Sequence, residues 1–222
     1  MFGDATIETV RELVASGADH IALLMRHSAR EFNKNVHDLV NPLTEEGRDL
    51  SRRLGEALPK SHTLRGYASP PERCIETAQL ALLGHASKGG EATRVRPVEG
   101  LGVFYVLDQM KMFRALEESD GMDGFIDCWV RGELPRDAMM PADQAARLVL
   151  DIVAAKLDHP VAERQIDLCV THDLTVHMVR DRLLGAWPDY GPVEFLDALA
   201  VYRREGRLFM RGQVGPEREV GA

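Results

Sequence analysis

The chain has 222 residues, enough for one domain with room for an insertion and for a core that needs no disulfide or metal staples. Apolar residues make up 45% and charged residues 28%, which excludes a disordered chain. With 27 Lys and Arg against 35 Asp and Glu, the formal net charge is −8, which excludes a general binder of nucleic acid or of an anionic membrane and confines any anion site to a local basic pocket. Three widely spaced cysteines, Cys74, Cys128 and Cys169, build neither a disulfide framework nor a zinc site. The first residues lack the basic and apolar regions of a signal peptide, and no apolar run reaches the ~18 residues of a membrane span. The expectation is a soluble, cytoplasmic protein.

In chain order, residues 5–15 read as a short helix with Val10, Leu13 and Val14 on one face. His20 to Met25 is an apolar run of buried-strand type. Thr44 can cap a helix over 45–58, with Glu45 and Glu46 in its first turn and Pro59 ending it. A second strand at 64–68 leads into Ser69-Pro70-Pro71-Glu72, which combines an N-cap Ser, an N1 Pro and a capping-box Glu for a helix running to Gly84. A polar loop precedes a strand at 94–98. Residues 100–140 hold Phe104, Tyr105, Phe113, Phe125, Trp129 and five of the nine methionines, with helices expected near 107–118 and 122–131. This segment is expected either to roof a site or to pack as a helical layer. A longer helix covers 142–157, a strand 166–171, and a helix 174–184 stops at Gly185. A hairpin of 198–203 and 207–211, turning at Glu205-Gly206, closes the chain. Strands alternating with helices indicate an α/β domain with a mostly parallel sheet, one domain over 1–222 with a helical insertion or cap around 100–140.

In such sheets, ligands bind beyond the carboxyl ends of the strands. The first strand runs into Arg26, His27 and Arg30, the second delivers Arg73, the third ends in Glu99, and the fourth ends in His172-Asp173. Each alone is weak: a lone His is usually structural, Arg73 fits a solvated helix face, Asp173 fits an N-cap, and Glu99 fits a loop acid. Placed together after short apolar strands, they make a phosphate site with a nucleophile and an acid attached.

The pieces LLMRHSAR (23–30), NPLTEEG (41–47), SPPERCIETA (69–78) and VTHDLTV (170–176) resemble, in order and rough spacing, the histidine phosphatase superfamily, which includes phosphoglycerate mutases and histidine acid phosphatases. The resemblance implies a three-layer sandwich with helices on both faces of the sheet. It also implies a nucleophilic His27 that becomes a phosphohistidine, with phosphate bound by Arg26, Arg73 and His172. Arg30 is similar to the second Arg of the acid phosphatases' R-H-G-x-R, and His172-Asp173 to their H-D pair. Asn33 sits where the mutase branch has an Asn after its own motif. Ser28 stands where the family usually has Gly, and the mutases' Gly-Trp-x-Asp segment is missing, which counts against a true mutase.

Elementary chemistry agrees with these roles. A neutral imidazole is a competent nucleophile near pH 7, and fixed arginines stabilise the charge of a transferring phosphoryl group. The leaving oxygen needs a proton, for which Asp173 is the first choice and Glu99 the second. No Cys is followed six residues on by Arg, and Asp-x-Asp-x-Thr/Val, G-x-x-x-x-G-K-S/T, H-E-x-x-H and G-x-S-x-G are all absent. His172 and His177 lie about 140° apart around a helix, so they do not pair on a metal. His37, His62, His85 and His159 fall in polar stretches and are expected to be solvated. Arg48, Arg52 and Arg53 are expected on the wet face of a helix. The expected activity is phosphomonoester hydrolysis on a small phosphorylated metabolite, without metal or other cofactor. A phosphoprotein substrate, a phosphoglycerate-type mutase and a phosphate-binding module with little turnover are the alternatives.

Overall fold

Strand β1 (His20–Arg26) runs through the middle of the molecule, and each residue from Ile21 to Met25 is buried. A continuous apolar run is what a strand covered on both faces requires, since alternate side chains enter different cores. Ile21, Leu23 and Met25 join one core, while Ala22 and Leu24 join the other. The computed structural model describes residues 1–33, 35–36, 38–185 and 190–221, so His37 lies outside the described residues. Among them, a seven-stranded sheet comprises β1, β2 (Thr63–Ala68), β3 (Ala92–Pro97), β4 (Gln165–Thr171), β5 (Ala198–Arg204), β6 (Arg207–Arg211) and β7 (Arg218–Glu219). The order is β3-β2-β4-β1-β5-β6-β7. Pairing is parallel from β3 through β1 and antiparallel from β5 onward. The hairpin between β5 and β6 turns at Glu205 and Gly206, both at positive φ (53° and 76°), as a tight primed turn demands.

Helices α1 (Asp4–Ala15), α2 (Glu45–Ala57) and α3 (Glu72–Ser87) pack on one face. Helices α4 (Gln109–Glu117), α5 (Gly121–Val130), α6 (Ala142–Leu157) and α7 (Asp173–Val179) pack on the other. This is the three-layer α/β sandwich expected. Thr44 caps α2, its side chain accepting from the Gly47 N–H at 2.9 Å.

Several local expectations give way to packing. Helix α3 continues past Gly84 to Ser87. Gly84 is not a stop but a contact point: a Cβ there would lie 2.1 Å from the Arg52 carbonyl oxygen of α2, and one on Gly55 would lie 1.8 Å from that of Ala81. The N-cap of α3 is Pro71, with no side-chain cap, because Ser69 is engaged elsewhere. The helix expected over 174–184 is α-helical only to Val179 and finishes as a π turn at Arg180–Leu184. His62 and His85 are buried rather than solvated: the loop before β2 folds under α3, and His85 Nε2 bonds the His62 carbonyl at 3.1 Å. His159 is exposed as expected. Arg52 is exposed as expected, whereas Arg48 and Arg53 are half-buried, Arg48 Nε donating to Glu76 at 2.7 Å and Arg53 Nη2 to Asp4.

The 100–140 segment supplies core and surface together. Tyr105, Phe125, Ile126 and Trp129 are buried in the same core as α6 and the sheet, while Met110 and Phe113 are exposed. Trp129 Nε1 donates to the Met140 carbonyl at 2.7 Å, and Tyr105 bonds Thr175 of α7 at 2.8 Å. Tyr105 and Trp129 are therefore core, not roof. No helix among the described residues is long and apolar enough to cross a membrane.

Candidate active site

The register of the parallel strands aligns their carboxyl ends: Arg26 pairs with Thr171, and Ala68 with Val170 on one side and Pro97 on the other. The residues just beyond these ends, His27, Ser69, Glu99 and His172, are thereby carried to one edge of the sheet. His27 is 2% exposed. Its Nδ1 lies 2.8 Å from the Ser28 carbonyl, which can only accept, so Nδ1 carries the proton and Nε2 keeps its lone pair. Arg73 Nε, in the first turn of α3, donates to that Nε2 at 3.1 Å. The same guanidinium reaches His172 Nδ1 at 3.4 Å through Nη2. A guanidinium has no acceptor, so this contact makes Nδ1 the acceptor and leaves Nε2, 3.0 Å from Ser69 Oγ, as the ring's donor. The two imidazoles stand edge to face with centroids 5.7 Å apart.

Burial holds the His27 pKa well below the ordinary 6.5; the nearby charges of Arg73 and Arg26 push the same way, against the Ser28 hydrogen bond. The ring is thus neutral at physiological pH, with the lone pair a nucleophile needs. Cys74, whose Sγ lies 3.9 Å from His172 Nε2, does not compete, because burial pushes its thiol up to about 12.

Arg26 is held on three sides. Nη1 donates to the Val193 carbonyl at 2.6 Å, Nη2 pairs with Asp173 Oδ2 at 2.9 Å, and the guanidinium carbon lies 4.1 Å from the centroid of the Phe195 ring. Its Nε is buried with no hydrogen-bond partner among the described residues. Asp173 is the first residue of α7, one position past the N-cap His172, and its Oδ1 accepts from the Leu174 N–H at 2.8 Å.

Ser28 leaves the pocket clear. Its hydroxyl donates to the Gly47 carbonyl at 2.7 Å, and its N–H donates to Thr77 Oγ1 at 3.1 Å. Gly47 allows this approach, since a Cβ there would lie 2.0 Å from the Ala29 oxygen.

The remaining expected residues sit farther out. Glu99 is exposed on the 3-10 turn after β3, and its carboxylate makes no hydrogen bond or ion pair among the described residues. That turn nonetheless borders the site, because a Cβ on Gly102 would lie 3.6 Å from Ser69 Oγ. Arg30 donates to the Glu31 carbonyl and lies over the Phe32 ring, near enough for its charge to act on Arg26. Asn33 is exposed and closes its own turn, Oδ1 accepting from the Asn35 N–H at 2.9 Å.

Sequence reasoning missed Ser69 as the partner of His172, Thr77, and the 190–197 loop that presents Val193 and Phe195 to Arg26. Nothing local marks that loop except Leu196, a buried residue at φ 65°, a strained conformation that shows only in three dimensions.

Two imidazoles and two guanidiniums thus lie together at the carboxyl edge of an α/β sheet, a basic, buried group with the composition of an anion site. A family model, the histidine phosphatase superfamily (branch 1), matches residues 22–203, and the chain belongs to this superfamily. No curated protein matches the sequence. Among solved structures, the fold is similar to phosphoglycerate mutase from Bacillus anthracis (TM-score 0.57, 18% identity, covering 89% of this chain and 94% of that one). It is also similar to a mycobacterial glucosyl-3-phosphoglycerate phosphatase in complex with VO3 (TM-score 0.59, 17% identity, 86% and 97% covered). A third is a phosphoserine phosphatase mutant from Entamoeba histolytica (TM-score 0.51, 18% identity, 86% and 94% covered).

Proposed function

We propose that the chain hydrolyses phosphomonoesters of small metabolites through a phosphohistidine at His27. The observation that carries this reading is the His27 Nε2 lone pair, held neutral by burial and faced by Arg73 beside His172 and Arg26. The phosphoryl oxygens of a bound ester would replace His27 as the acceptor of Arg73 Nε and take the unpartnered Arg26 Nε. Nε2 then attacks phosphorus, the ester P–O bond breaks, and the leaving oxygen takes a proton from a carboxylic acid. In the second half, that carboxylate takes a proton from water, which attacks the phosphohistidine and returns His27 with inorganic phosphate. The arginines and His172 carry the equatorial charge in both steps.

Asp173 is the first choice of acid because it lies against Arg26: the ester's phosphate competes for the guanidinium, and the released Asp173 carboxyl, taking up a proton as it loses its cation, then faces the leaving oxygen as the acid. Glu99, exposed and unpaired on its turn, is the alternative.

The test is a screen of phosphomonoesters with wild-type protein and His27→Ala. Turnover in the wild type only, with acid-labile phosphate trapped on His27 by rapid quench, is expected; full activity in His27→Ala overturns the mechanism. Phosphate binding without turnover of any ester indicates the binding module instead, and phosphoryl transfer to an acceptor other than water indicates a mutase. Asp173→Asn should slow alkyl esters far more than p-nitrophenyl phosphate, whose leaving group needs little protonation. That pattern in Glu99→Gln alone would move the acid to Glu99. No group of three or more His, Cys, Asp or Glu among the described residues is arranged to hold a metal ion, and activity is expected to persist in EDTA.

A further inference from the structure

Beside the Arg26–Asp173 pair opens a cleft of about 190 Å³. Three separate elements supply its apolar wall: Met122 and Ile126 from α5, Leu174 from α7, and Pro192 and Val193 from the loop before β5. Ile126 and Val193 are buried, and Met122 is 49% exposed at the mouth. Arg26 is the one Arg or Lys of this lining among the described residues, its two terminal nitrogens paired with Val193 and Asp173, and His177 of α7 completes the lining. Because the cleft and the phosphoryl-binding group share Arg26, an ester bound through its phosphate would direct its organic half along this wall.

We propose that this cleft seats the leaving group and selects phosphomonoesters whose organic half is apolar and carries no second anion. The inference rests on the phosphomonoesterase reading. Its physical content is twofold. An apolar wall rewards each methylene it removes from water. A second carboxylate or phosphate would be drawn out of water against this apolar wall, with only the His177 imidazole and no uncommitted Arg or Lys in the lining to meet it, which penalises such substrates. Met122, on the exposed rim, is the residue through which the preference can be changed without disturbing the core.

The experiment compares kcat/KM for a series of n-alkyl phosphates with that for n-hexyl phosphate's counterpart ending in a carboxylate. In the wild type, each added methylene should raise kcat/KM about two- to fourfold until the cleft is filled. The carboxylate-ended ester should fall well below the hexyl ester. Met122→Lys should flatten the alkyl series and narrow the gap between the two esters by about fivefold. A flat alkyl series in the wild type, equal rates for the two esters, or a gap unchanged in Met122→Lys overturns the proposal. Binding is read separately, from the Met122 methyl resonance of His27→Ala protein titrated with n-hexyl phosphate. A shifted resonance with no turnover of any ester by the wild type would keep the cleft and discard the phosphatase reading; an unmoved resonance discards the cleft.

Discussion

Ser28 and Ser69 show how one residue type serves opposite ends at one site. Ser28 occupies the position after the nucleophile but turns its hydroxyl away to the Gly47 carbonyl, which also accepts from Ser51. Removing that hydroxyl leaves no carbonyl unpaired. Ser28→Ala is therefore expected to cost about 1 kcal/mol of stability in a urea titration and to leave kcat unchanged. Ser69 faces inward and holds His172 by Nε2. Ser69→Ala is expected to lower kcat about two- to tenfold, the worth of one hydrogen bond, through a His172 ring free to turn. An unchanged kcat would show that Arg73 alone orients the ring.

At the scale of elements, α2 and α3 meet by backbone approach. The glycines at 47, 55 and 84 each face a carbonyl that a methyl group would strike. The crossing matters to the site because α3 carries Arg73 and Thr77, while α2 supports the 28–29 turn behind His27. Gly55→Ala is expected to destabilise by about 1–3 kcal/mol or more, read as a lower urea midpoint at unchanged m. On the opposite face, α5 divides its work: Phe125 and Trp129 fill the core, Met122 walls the cleft, and Ile126 serves both. The sequence's density of Met and aromatics registers both jobs without separating them.

For the whole molecule, burial of imidazole sets the response to acid. His27, His62 and His85 all have pKa values lowered from 6.5, burial being the leading cause in each case. Below pH 6.5 the unfolded chain takes up protons that the native state refuses, so stability is fully present above that pH and is lost as pH falls toward the native values. Urea titrations from pH 8 to pH 5 should show a steady loss, and His62→Gln should make it shallower. Stability that does not fall with acid would mean that these rings are open to protonation in the native state. The acid limb that His27 contributes to kcat/KM should likewise lie below the usual imidazole range.

The apolar runs at 20–25 and 166–171, the cap at Thr44 and the turn at Glu205-Gly206 were legible in the sequence, because each is decided by neighbours along the chain: period, cap chemistry and φ preference. So was the convergence of His27, Arg73 and His172, since parallel strands carry the residues beyond their carboxyl ends to one edge. The features that lay beyond the sequence were decided by contacts between distant residues. Ser69 abandons a cap because His172 offers a buried imidazole. Gly84 continues a helix because Arg52's carbonyl lies against it. His62 and His85 enter the core because each finds backbone carbonyls there. Asn33 turns to its own loop, and Arg26 gains Phe195 and Val193 from a segment nearly 170 residues away. The physical reason is common to all: a local pattern states what a residue can do, and the tertiary fold supplies the partner that determines which of those options has the lowest free energy.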